Sequence, residues 1–189
     1  MGQLVQAKGG AVVSKTDEAP AQYLTFSLGG EMFGVGILNV KEIIEYGNLT
    51  EIPMMPTFIR GVINLRGRVV PVIDLAARFG GKMTTAQRRT CIIIVELVAD
   101  DDRRELGIIV DAVSEVLEIP ETDIEPPPAF GAKIRADFMA GMGKVNNKFV
   151  IILRIDRALS SDDLAAVTML GDQSNAPPRI ADASAGAAA

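Results

Sequence analysis

The chain has 189 residues, 48% of them hydrophobic, with no histidine, one cysteine and a formal net charge of −5. That composition supports a sizeable folded core; lack of histidine removes the commonest general base and metal ligand, and a lone Cys91 excludes an internal disulfide. The acidic balance, with two Tyr, no Trp and no basic tract, opposes nucleic acid as a partner, and the apolar runs CIIIVELV and FVIIL are too short to span a bilayer.

Residues 1–21 are poor in large apolar groups and contain no sustained apolar stretch leading to a cleavage site, which predicts a disordered tail on a cytoplasmic protein. YLTFSLGG and EMFGVGIL then predict a hairpin turning at Gly29 and Gly30, followed by a strand in VKEIIEYG. GVINL and RVVPVIDL form a second hairpin whose tight turn holds Arg66 and Gly67, and Pro71 within it implies an edge position or an unpaired backbone site. LAARFGG reads as a helical turn closed by Gly80. Further strands fall in TCIIIVEL, RRELGIIV, SEVLEI, FMAGMGKV and KFVIIL, with a loop at PETDIEPPPAF. Residues 160–171, SSDDLAAVTMLG, predict a capped C-terminal helix, and 172–189 a second disordered tail.

The chain repeats itself. GVGILNVKEIIE (34–45) aligns with GIIVDAVSEVLE (107–118) at an offset of 73, matching Gly34 with Gly107, Val40 with Val113, Glu42 with Glu115 and Glu45 with Glu118. FIRGVINLRGRVVPVIDL (58–75) aligns with FMAGMGKVNNKFVIILRID (138–156) at an offset of 80, matching Phe58 with Phe138 and Gly61 with Gly141, the second stretch being one residue longer and ending on Asp156. Two such signals in one order predict an all-β protein of two similar halves, each a small barrel of about five strands, the first over about 22–84 and the second over about 85–159. Whether strands exchange between the barrels is left open.

The repeat also isolates Arg66. Arg66 and Gly67 match Asn146 and Asn147, and asparagine is what turn chemistry alone would choose. A guanidinium does best facing a carboxylate, and Glu42, bordered by Val40, Ile43 and Ile44, is the leading partner. An enzyme reading would rest on Asp74 and Asp156, which end matching strands of the repeat and read better as turn or cap residues. Cys91 reads as a buried structural thiol. Met54, Met55, Met139 and Met142 read as packing residues that could alternatively supply an adaptable surface.

From about Tyr23 to Leu159, through FGVGILNVKEI, IPMMPTFIRG and GVINLRGRVVPVIDL, the chain resembles CheW-type chemotaxis coupling proteins. The resemblance implies two SH3-like barrels packed on a shared core. It also implies a non-enzymatic adaptor, without cofactor or metal, linking the cytoplasmic hairpin tip of methyl-accepting chemotaxis receptors to the regulatory domain of the CheA histidine kinase. Glu42 and Arg66 match the family's receptor-facing pair, with Val40 beside them; Ile43 joins that surface on its position in the sequence. Pro126 and Phe130, in EPPPAF, match a kinase-facing or ring-forming contact, although Glu125 stands where a basic residue is common. The same resemblance implies a cytoplasmic protein, monomeric when isolated and without membrane insertion, recruited to membrane-associated receptor arrays. The alternative is a coupler for a related array controlling pilus motility or development.

Overall fold

The computed structural model describes residues 20–99, 102–128 and 134–159. In the first half, β1 (Ala21–Leu28), β2 (Glu31–Gly36), β3 (Val40–Glu45), β4 (Ile59–Leu65) and β5 (Arg68–Asp74) lead into the short helix α1 (Leu75–Arg78). In the second, β6 (Cys91–Ala99), β7 (Asp102–Val110), β8 (Ala112–Ile119), β9 (Ile124–Glu125), β10 (Met139–Val145) and β11 (Lys148–Leu153) lead into α2 (Ile155–Ala158). The helix expected at 160–171, the tail at 172–189, Phe130 and most of the N-terminal tail lie outside the described residues. Ala21, placed in that tail by the sequence, is already the first residue of β1, opposite Ile119.

The hairpins form where local chemistry asks for them. Gly29–Gly30, Arg66–Gly67 and Asn146–Asn147 all take positive φ at both positions, the two-residue turn whose twist matches the flanking strands. Pro71 stands opposite Val62, and the parallel pairing of β5 with β7 starts one residue later, at Val72. β5 is an interior strand, so the proline occupies an unpaired site rather than an edge.

The two halves do not separate at residue 84 as the repeat suggested. One sheet runs β8-β1-β2-β11-β10-β9 and the other β3-β6-β7-β5-β4, so each takes its first hairpin from the opposite half. The joints are the parallel pairs of β2 with β11 and of β5 with β7. A hairpin's sequence specifies its own two strands and not the third strand beside them, so exchange leaves local patterns unchanged. It places Phe26 and Phe33 of one sheet in the same buried cluster as Ile73, Ile93 and Ile108 of the other. Through that cluster Phe26, Phe33, Phe79 and Phe138 follow one another at centroid spacings of 5.9, 6.0 and 6.0 Å, the first two contacts stacked and the last tilted. Phe26, Phe33 and Phe138 are buried and contribute about 1.5–3 kcal/mol each, the partly buried Phe79 less.

The five-stranded sheet closes on itself. Thr50 and Val62 exchange two backbone hydrogen bonds of 2.9 Å, tying the chain just beyond β3 to β4. In the other half the pairing of Glu125 with Met142 does the same. A smaller core fills the closed sheet, with Ile63, Leu65, Val72, Ile92, Ile94 and Ile109.

The acid at the end of the repeat is reassigned. Asp74 N donates to Phe58 O at 2.8 Å and Arg154 N to Phe138 O at 2.9 Å, so the equivalent of Asp74 is Arg154, not Asp156. Asp74 is fully buried and accepts from Ala76 N, Ala77 N, Thr84 N, Thr84 Oγ1 and Arg60 Nη1, capping α1. Asp156 is an exposed residue within α2, 3.9 Å from Arg157. Cys91 is only partly buried, because it starts β6; its Sγ donates to Arg89 O at 3.2 Å. The methionines divide: Met139 is core, Met55 packs against it, and Met54 is fully exposed.

Candidate functional site

Arg66 opens the β4–β5 turn at φ 53°, a left-handed conformation that costs an ordinary L-residue about 1–2 kcal/mol. Its turn is set locally, with Asn64 Oδ1 accepting from Gly67 N at 2.8 Å. From that tip Arg66 Nη2 donates to Glu42 Oε2 at 2.9 Å. The pair spans the two outer strands of the five-stranded sheet, on the same seam that the Thr50–Val62 bonds close.

A bulge in β3 sorts its side chains. Val40 stands opposite Val95 and Ile43 opposite Ile93, both residues of the large shared core, whereas Glu42 stands opposite Ile94 and Ile44 opposite Ile92, both residues of the smaller one. The structure thus brings Glu42 to Arg66 and puts Val40 with Ile43 on the other face of the strand. Val40 is partly buried against the core and Ile43 is exposed.

Around the mouth of the closed sheet the ion pairs continue beyond the two residues singled out from sequence. Lys41 Nζ lies 2.9 Å from Glu96 Oε1, and Arg103 Nη1 lies 3.4 Å from Glu96 Oε2. Glu96 faces Glu105 across β6 and β7, and Arg68 Nη2 lies 2.8 Å from Glu105 Oε2, a contact without hydrogen-bond alignment. Arg68 in turn pairs with Leu65 across the turn that carries Arg66, which completes the circuit. Two like charges opposite each other on adjacent strands are unfavourable, and here each has its own cation. The hydrogen bond from Lys41 holds the Glu96 carboxyl below the ordinary glutamate value, helped by the charges of Lys41 and Arg103 and opposed by desolvation. Nothing local in the sequence singles these residues out, since Glu96 is one acid in an apolar run and Arg103 and Glu105 stand in the charge run DDDRRE; the spacing of Arg68 from Arg66 is the available signal.

Of the second contact, Pro126 is exposed directly after β9, and Phe130 lies outside the described residues. Among the described residues no group of three or more Cys, Asp or Glu could hold a metal ion, and no helix is long and apolar enough to cross a membrane.

The described residues form a mostly-β fold of two sheets with ion-paired surface turns. The family description "CheW-like domain" matches residues 22–163. The chain is 36% identical over 161 residues to the chemotaxis protein CheW of Klebsiella aerogenes, covering 84% of this chain and 95% of that one. It is 30% identical over 148 residues to protein FrzA of Myxococcus xanthus, covering 77% and 89%. The crystal structure of the scaffolding protein TtCheW from Thermoanaerobacter tengcongensis matches with a TM-score of 0.68 at 38% identity, covering 79% of this chain and 94% of that one. The chain belongs to the CheW-like family, whose members are scaffold or adaptor proteins rather than enzymes.

Proposed function

We propose that this chain is a chemotaxis coupling protein that links the cytoplasmic hairpin tip of methyl-accepting chemotaxis receptors to the regulatory domain of a CheA histidine kinase. The observation that carries this reading is the Glu42–Arg66 pair, built on a turn whose equivalent uses asparagine. A receptor helix laid along the outer edge of β3 gains affinity from apolar contact with Val40 and Ile43 on one face of the strand, and the charged pair on the other face fixes its orientation. Pro126, with Phe130, belongs to the kinase-facing or ring-forming contact. The protein works in the cytoplasm, monomeric until recruited to membrane-associated arrays, where it transmits receptor control of the kinase.

Reconstitution tests it. Adding the protein to kinase and receptor together should bring the kinase under receptor control, with no effect when either is missing. Phosphotransfer by the purified chain alone, or kinase control without receptor, would sink the proposal. The similarity to FrzA favours a second reading, a coupler for an array with another output. Affinity capture from the protein's own cells separates the two through the identity of the co-purifying kinase.

A further inference from the structure

Of the charges around the mouth of the five-stranded sheet, the carboxylates face inward and the cations outward. Side chains of Arg66, Arg68, Arg103 and Lys41 are 74, 61, 70 and 41% exposed, against 25, 15 and 17% for Glu42, Glu96 and Glu105. A chain of net charge −5 therefore turns four cationic side chains outward around this mouth. The three arginines each commit one terminal nitrogen to a carboxylate, leaving guanidinium donors directed to solvent.

The fold itself supplies a control. At the repeat offsets, and through the matched β1–β2 and β6–β7 registers, Lys41, Glu96 and Glu105 correspond to Ser114, Ser27 and Met32. Arg103, Arg66 and Arg68 correspond to Gly30, Asn146 and Lys148. At that second mouth Ser114 Oγ lies 3.9 Å from Met32 Sδ, where the first mouth has charged groups. The same architecture closes in the other half with most of the circuit absent, so the charges serve something other than closure.

We propose that Arg68 and Arg103, with Lys41, extend the Arg66 site into an anion-reading rim that selects a receptor helix bearing carboxylates on the face it presents. This rests on the receptor-coupling reading and specifies the chemistry of its partner. Charge complementarity commits the rim to an acidic helix, and carboxylates preset in the wall hold the arginines extended before the partner arrives.

The test measures binding of the full chain to a chemoreceptor cytoplasmic hairpin fragment from the same genome, and to that fragment with its tip-proximal Glu and Asp changed to amides. The Arg68→Gln/Arg103→Gln double variant should bind the unmodified fragment about tenfold more weakly at low salt, with a flatter salt dependence and a native circular-dichroism spectrum. The amidated fragment should bind wild type and double variant alike, and Lys148→Gln, at the second mouth, should bind as wild type. Wild-type affinity in the double variant, or a loss that persists equally with the amidated fragment, overturns the rim. Arg66→Ala in the same assay keeps the two ideas apart: if it too binds as wild type, the receptor site itself is misplaced.

Discussion

Arg66 and Asn146 hold the same position in two matching turns, at φ 53° and φ 50°, and only the arginine is there against local preference. Replacing it removes an exposed ion pair worth at most about 1 kcal/mol and relieves a backbone cost of about 1–2 kcal/mol. Arg66→Asn should therefore leave the melting temperature unchanged or raise it by a few degrees, since 1 kcal/mol corresponds to about 2–4 °C at this size. Receptor-fragment binding should weaken about tenfold or more. A clear drop in melting temperature would make the arginine a structural residue.

Gly61 and Gly141 are the second matched pair, each at a register shift where its strand passes under the segment that closes the sheet. A Cβ on Gly61 would lie 2.3 Å from Thr50 O, at φ 140°; one on Gly141 would lie 2.5 Å from Ile124 Cγ2 and 2.7 Å from Glu125 O. Both alanine variants should be destabilised by about 1–3 kcal/mol, with Gly61→Ala the worse because its nearest obstacle is backbone. Denaturant midpoints measure the order. A neutral Gly61→Ala would show that the Thr50–Val62 closure opens freely.

Asp74 and Asp156, alike in sequence, should behave differently. Asp74→Ala removes an acceptor of five hydrogen bonds and strands the partly buried Arg60, whose Nη1 otherwise also reaches Thr84 O and whose Nη2 reaches Tyr46 Oη. Breaking a buried pair on one side costs about 3–5 kcal/mol. Asp156→Ala, on an exposed helical residue, should change stability by no more than about 0.5 kcal/mol. Equal losses in urea unfolding would restore the equivalence that the backbone contacts of Arg154 deny.

What could be read from sequence was what neighbouring residues decide together. The turns at Gly29–Gly30, Arg66–Gly67 and Asn146–Asn147 follow from short-range backbone chemistry, and the repeat supplied the comparison that made Arg66 stand out. The hairpin exchange was not legible, because β2 and β11 or β5 and β7 meet through parallel pairing between strands far apart in the chain. Asp156 was matched to Asp74 by likeness of residue type, and only the Phe58 and Phe138 carbonyls reveal that Arg154 holds the place. Glu42 was found because it adjoins a recognisable apolar run. Glu96 and Glu105 were missed because their relation exists only in the β6–β7 register.

That register gives the last prediction. The Glu96 carboxyl is held below the ordinary glutamate value of 4.5, first by its hydrogen bond from Lys41 and then by the charges of Lys41 and Arg103. A carboxyl whose folded value is depressed contributes stability that is present above its unfolded value and is lost as pH falls through the folded one. The contribution is therefore intact at neutral pH and disappears only in acid, below the usual glutamate range. Carboxyl-carbon NMR titration should place Glu96 below an unperturbed glutamate in wild type. In Lys41→Met the midpoint should move up, since the leading cause is gone, and Arg103→Met should move it less. If Lys41→Met leaves the titration where it was, the Lys41–Glu96 contact does not persist in solution, and the outward cations of the rim are not held by the carboxylates behind them.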